Sequence, residues 1–352
     1  MAFGKVGVVG LGTMGAGIAE VLARGGIDTV GIEVNEAALE RGRTTVENST
    51  ARAVTRGRLT EEAREQILGR LTFSTDFTDL GDRDLVIEAV PELIDLKAKV
   101  FAQLDKVCRP DAVLATNTSS LSVTEIAGAT TRPESLVGVH FFNPAVVMKL
   151  VEIIYSERSR PEHVEAVTSF VRDLGKVPVT IGDRAGFVAN RLLFGLLGPA
   201  AQLAETGVAK EDIDASLKEL GLPMGPLTLM DLIGLDTCLE VLESIHADSG
   251  SPRHEPAGLL RKLVSEGSLG RKSGGGFYTY DRAGSGTVVA PVEGTASAEV
   301  AEQLYGPYLQ DAAEMVKSGY CTADDADAAM TLGCGFPVGP IAALRERGTW
   351  QD

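Results

Sequence analysis

The stretch Val6-Gly7-Val8-Val9-Gly10-Leu11-Gly12-Thr13-Met14-Gly15 decides the fold of this chain. An apolar run suited to a buried strand enters a G-x-G-x-x-G turn, and residues 16–24 continue as a helix. In that arrangement Gly10 permits the tight turn, Gly12 lets the backbone approach a pyrophosphate, and Gly15 lets the helix pack closely. Thr13 and Met14, inside the turn, bring N–H groups and the positive end of the helix to the same phosphates. A second apolar run, residues 29–32, ends in Glu33, eighteen residues past Gly15. There an acid grips a ribose 2′-hydroxyl. The glycine pattern alone also suits an ordinary turn; strand, helix and acid together predict a dinucleotide site. Glu33 repels a 2′-phosphate, so the expected cofactor is NAD rather than NADP.

The 352 residues suffice for two or three domains with a real core. Hydrophobic content of 44% and charged content of 23% fit a soluble globular protein. The net charge of −16 argues against nucleic acid and anionic membrane as partners. A phosphorylated ligand stays open, because local basic residues still form a site. The cysteines at 108, 238, 321 and 334 fall in no C-x-x-C or metal-ligand spacing, so no metal is expected and they read as reduced packing thiols. The first strand begins within about five residues, leaving no room for a signal peptide. No apolar run reaches the roughly 20 residues of a bilayer crossing. The expected location is the cytoplasm.

Strand and helix signals alternate from Phe3 to about Gly182, the pattern of a doubly wound parallel sheet. Residues 84–90, 112–115, 136–139 and 177–181 read as further strands. The charged stretch from Ala37 to Leu71, broken at Gly57, reads as a helical hairpin. Beyond Asp183 the pattern is helical up to Gly276, and Gly284, Gly286, Pro291 and Gly294 then mark a linker. The expected fold is therefore α/β plus all-α. Its parts are a Rossmann-type NAD-binding domain (1–184), a helical domain (185–282), a linker (283–296) and a truncated second helical copy (297–352). That copy rests on an echo: Gly207, Asp214 and Pro223-Met-Gly-Pro226 are followed later by Gly319, Asp327 and Pro337-Val-Gly-Pro340.

Candidate chemistry gathers at strand ends. His140 closes the run from Leu136, where ligands of doubly wound sheets bind. Imidazole suits the base that takes a hydroxyl proton during hydride transfer. Glu152, twelve residues on, is a carboxylate able to orient that ring. Read singly, His140 is equally a structural histidine and Glu152 a solvated charge. Asn117, Ser119 and Ser120 follow the 112–115 strand and suit either a ligand or a helix cap. Asn190, in an apolar helix start, must find partners if buried.

The set resembles the L-3-hydroxyacyl-CoA dehydrogenases, including bacterial 3-hydroxybutyryl-CoA enzymes, across residues 3–282. The matching stretches are Asp84–Val90, Asn117–Leu121, His140–Pro144, Val147–Glu152, Gly186–Arg191, Pro223–Pro226 and Gly270–Tyr278. The resemblance implies a (3S)-3-hydroxyacyl thioester oxidised by NAD, with His140 as general base and Glu152 its partner. It further implies Ser119 and Asn190 on the substrate's 3-oxygen or the histidine, and Asn117, Glu92 and Lys97 on the cofactor. Asn143, with Arg52, Arg56 and Arg58 in a basic segment facing coenzyme A, completes the substrate set. The bland reading of those arginines is a solvated helix face.

The sequence departs from the family at Gly198 and Pro199, where relatives carry an acidic residue, and at Ala185 and Pro91. Pro199 predicts a kinked or interrupted helix. In two-domain relatives the helical domains pair between subunits, so a homodimer is expected unless the second copy supplies that partner in cis. Three alternatives compete. The same chemistry on an acyl-carrier-protein thioester, as in polyketide extender-unit synthesis, would suit the altered helix and the extra segment. A short β-hydroxyacid dehydrogenase needs a lysine four residues before an asparagine, and this chain has none. A non-catalytic NAD-binding structural protein would have lost at least one of Ser119, His140, Glu152 and Asn190.

Overall fold

The β-branched apolar runs fold as strands covered on both faces, as parallel sheets require. The computed structural model describes residues 3–281, 288–289 and 292–351, and the chain divides into two compact units, Met1–Asp183 and Arg184–Asp352. The first unit holds β1 (Lys5–Val9), β2 (Asp28–Ile32), β3 (Leu71–Ser74), β4 (Leu85–Glu88), β5 (Val113–Thr116), β6 (Leu136–Phe141), β7 (Leu150–Tyr155) and β8 (Val177–Gly182). They form one sheet in the order β3-β2-β1-β4-β5-β6-β7-β8. Helices α1 (Thr13–Arg24), α2 (Glu36–Thr55), α3 (Glu61–Gly69), α4 (Ile94–Val107), α5 (Val123–Ala127) and α6 (Pro161–Asp173) complete this unit. Val6, Val8, Ile87, Val113 and Val139 pack with Ile18 and Leu22 of α1 and Val167 of α6 in one buried cluster.

Two features differ from the sequence reading. The sheet is not wholly parallel, because β7 runs antiparallel to β6. Only residues 142–149 separate them, too few for a crossover of about a dozen residues. The other is β3, which the sequence reading does not name among the strands and which begins at Leu71, where that reading ends the helical stretch. The hairpin itself is α2 and α3, turning at Gly57 (φ 66°).

The second unit holds α7 (Ala189–Glu205), α8 (Lys210–Glu219), α9 (Pro226–Ile233), α10 (Leu235–Ser249), α11 (Gly258–Ser265), α12 (Ala298–Lys317), α13 (Ala323–Ala328) and α14 (Pro340–Glu346). Helix α7 packs against α8, α9, α10, α11 and α12. It runs through Pro199 without interruption, and α12 does the same at Pro307. Of the kink or interruption expected at Pro199, the interruption is absent: a proline forfeits one backbone hydrogen bond, and burial of Leu196, Leu197, Ala200 and Ala201 holds the helix together. Of the linker residues, Gly284, Gly286 and Pro291 lie outside the described residues. Its last part is docked on α8: Thr295 N–H donates to Asp212 at 2.7 Å and Ser297 N–H to the Ser216 hydroxyl at 2.9 Å. Among the described residues no helix is long and apolar enough to cross a membrane.

Candidate active site

Strand register brings the site's first unit together. Val9 lies level with Ile32 and Glu88, Glu88 with Thr116, and Thr116 with Gly138. Gly10, Glu33, Ala89 and Asn117 therefore leave the sheet along one edge, with His140 two residues beyond. This is the carboxyl edge, beside the reversal of strand order between β1 and β4, where open α/β sheets bind ligands.

The glycine turn fits a dinucleotide. Gly10 has φ 88°, a conformation that favours glycine. A Cβ at Gly15 would lie 1.8 Å from the Gly10 carbonyl oxygen, whereas one at Gly12 meets nothing within 4 Å. Two glycines close the turn, and the third faces open space. Helix α1 starts there with no side-chain cap and no acid in its first turn, which suits phosphate oxygens. Glu33 accepts the Leu11 N–H at 2.7 Å through Oε1 and the Val34 N–H at 3.0 Å through Oε2. Each oxygen keeps a second lone pair for a ribose hydroxyl.

Beyond β4 lies a buried charge network. Lys97 is fully buried; its Nζ sits 2.8 Å from Glu88 Oε1 and 3.2 Å from Glu92 Oε2. The Thr116 hydroxyl donates to Glu88 at 2.6 Å. Glu92 Oε1 accepts from the Thr118 hydroxyl at 2.5 Å, Ser119 N–H at 2.8 Å and Ser120 N–H at 3.1 Å. Burial alone would raise the Glu92 pKa; Lys97 and these donors outweigh it and hold the carboxyl below the usual range. Lys97, expected on the cofactor, is thus enclosed and paired with Glu92, which ties down the Ser119 loop. The sequence reading gave Glu88 no role. Its signal was an acid ending an apolar strand, which must be paired if buried.

The helix cap weighed for this loop belongs to Ser122, which accepts the Glu125 N–H. Asn117 instead ties β5 to β6, its Oδ1 accepting the Phe141 N–H at 2.9 Å. Ser119 is exposed, with its hydroxyl 3.4 Å from Glu92.

His140 and Glu152 are directly opposite in the antiparallel β6–β7 pair. Nδ1 of His140 lies 2.8 Å from Glu152 Oε2, and both side chains are buried. A carboxylate only accepts, so Nδ1 carries the proton and Nε2 is the basic nitrogen of the neutral ring. Phe142 packs on the imidazole at 4.5 Å between centroids. Asn143 is exposed just past this strand end.

Asn190 belongs to the other unit, half-buried in the first turn of α7. Gly186 (φ 79°) and Phe187 (φ 51°) turn the chain into that helix. A left-handed Phe costs about 1–2 kcal/mol, and its ring is 1% exposed, so packing of the ring holds the turn. Arg52, Arg56 and Arg58 are exposed at the end of α2, in no ion pair among the described residues.

The family profile "3-hydroxyacyl-CoA dehydrogenase, NAD binding domain" matches residues 5–184. The corresponding C-terminal-domain profile matches 186–280 and 300–349. The 3-hydroxybutyryl-CoA dehydrogenase of Mycobacterium tuberculosis is 46% identical over 285 residues, 79% of this chain and 99% of that protein. The mitochondrial hydroxyacyl-coenzyme A dehydrogenase of Homo sapiens is 41% identical, over 78% of this chain and 90% of its own. A crystal structure of 3-hydroxybutyryl-CoA dehydrogenase from Escherichia coli superposes with a TM-score of 0.90 at 31% identity, covering 99% of this chain and 92% of that one. On this agreement of site, sequence and fold, the chain belongs to the 3-hydroxyacyl-CoA dehydrogenase family, and its first unit is that family's NAD-binding domain.

Proposed function

We propose that this protein interconverts (3S)-3-hydroxyacyl-CoA and 3-ketoacyl-CoA, with His140 as base and acid. The observation that carries this is the buried His140–Glu152 pair at 2.8 Å, on the ligand-binding edge of the sheet. NAD, when bound, supplies the hydride acceptor. His140 Nε2 takes the hydroxyl proton, and Glu152 fixes the tautomer and stabilises the imidazolium, the division of labour of a catalytic triad. Ser119 and Asn190 hold the 3-oxygen. Glu33 grips the adenosine ribose, the turn from Gly10 to Gly15 the pyrophosphate, and Glu92 and Asn117 shape the nicotinamide end. Asn143 and the exposed arginines at 52, 56 and 58 meet the coenzyme A portion. The names of the relatives speak of coenzyme A thioesters, which favours that carrier over an acyl carrier protein.

We also read residues 297–352 as a second, partial helical copy. The C-terminal-domain profile matches on both sides of the linker. Asp214 receives the Leu227 and Thr228 N–H groups at the start of α9, and Asp327 receives those of Ile341 and Ala342 at the start of α14.

The test is NADH oxidation with acetoacetyl-CoA, beside His140→Ala. General-base loss costs about 10²–10⁴-fold in turnover, while NADH binding, followed by fluorescence, persists. Absence of wild-type turnover despite NADH binding would overturn the CoA reading. Full activity in the variant would overturn the base assignment.

A further inference from the structure

The helical unit contains an apolar cavity of about 130 Å³. Leu193 and Leu197 of α7 line it, with Met224 and Leu229 around the start of α9, and Cys334 and Phe336 reach it from the C-terminal segment. Asn190 heads the same stripe of α7, since positions 190, 193 and 197 are spaced i, i+3, i+7. At 1.5 Å per residue, Leu193 lies roughly 4.5 Å and Leu197 roughly 10.5 Å along the axis from Asn190.

From this we infer that the cavity takes the acyl tail of the substrate, and that Cys334 and Phe336 set the chain length it accepts. The inference rests on the proposed reaction, which puts the 3-oxygen at Asn190. Carbon–carbon bonds of about 1.5 Å advance an extended chain by roughly 1.3 Å each. Four to eight bonds then span the distance to Leu193 and Leu197. A four-carbon acyl group ends one carbon past the oxygen-bearing carbon and stops short of the cavity; an eight-carbon group enters it. A cavity near 150 Å³ with aliphatic and aromatic walls holds roughly one benzene, so this one holds a stretch of about five carbons. Each methylene moved into it gains about fourfold in affinity.

The experiment compares butyryl-CoA and octanoyl-CoA binding by calorimetry in the full chain. It also compares kcat/KM for acetoacetyl-CoA and 3-ketooctanoyl-CoA. Wild type should favour the eight-carbon chain by at least about tenfold. Cys334→Trp fills the cavity from the C-terminal segment and Leu229→Phe from α9; each should remove most of that preference. The second variant serves if the first fails to fold. Equal binding of the two chains in wild type, or a preference kept in the filled variants, would overturn the inference and leave the reaction standing. Failure of every chain length to turn over would overturn the reaction itself.

Discussion

Glu152 is wholly buried within β7, and His140 on the neighbouring strand makes its burial tolerable. Removing one partner of such a pair leaves a polar group stranded, so each holds the other in place. The two are coupled because opposite positions in an antiparallel pair have their Cβ atoms about 5 Å apart. Glu152→Gln keeps the shape and an acceptor oxygen but deletes the charge that stabilises the imidazolium. The amide also lets its NH2 face Nδ1 and impose the wrong tautomer. We expect kcat to fall by about 10²–10⁴-fold, in line with loss of charge from a triad acid, with NADH binding retained. A kcat close to wild type would show that Glu152 serves only packing.

At the scale of elements, the helix starts after Gly225 and Gly339 show what the sequence made legible. A Cβ at Gly225 would lie 2.2 Å from Asp214 Cγ, and one at Gly339 would lie 2.3 Å from Asp327 Oδ1. Each glycine lets an aspartate close on the helix start, so the echo in the sequence marks a hydrogen-bonding unit. The turn from Gly10 to Gly15 was legible for the same reason: geometry imposes glycine and an acid at fixed spacing. Strand β7 was not, because Glu152 alone reads as a solvated charge, and its partner comes from another strand. Nor did the sequence show that α7 continues through Pro199, since neighbours in space compensate for the missing N–H. Asp214 also receives the Thr228 and Tyr278 hydroxyls at 2.6 and 3.0 Å. Asp327→Ala should cost about 1–2 kcal/mol, the usual loss of a helix cap, and Asp214→Ala more, because buried donors are stranded with it. Calorimetry checks this as a larger fall in thermal midpoint for the Asp214 variant. An unchanged midpoint in Asp327→Ala would show that its capping contributes nothing to the stability of the unit.

For the whole molecule the question is what the C-terminal segment replaces. Helix α12 lies against α7 and buries Leu304, Tyr305, Tyr308, Leu309 and Ala312. Arg253 and Asp311 fasten it through an ion pair at 3.0 Å, both largely shielded from solvent. Pairing between helical domains, which the family resemblance places between subunits, needs an apolar face of this kind. We expect the chain to cover that face itself, through α12. Among the described residues of this unit the large exposed apolar side chains are Leu220, Leu232, Val289 and Val292. Obligate interfaces bury more than about 2,000 Å² around an apolar centre, and four such side chains are too few to build one. We therefore expect a monomer of 37.0 kDa by light scattering across a dilution series. A stable mass of twice that value would show that the second copy adds to a homodimer instead of taking the place of its partner.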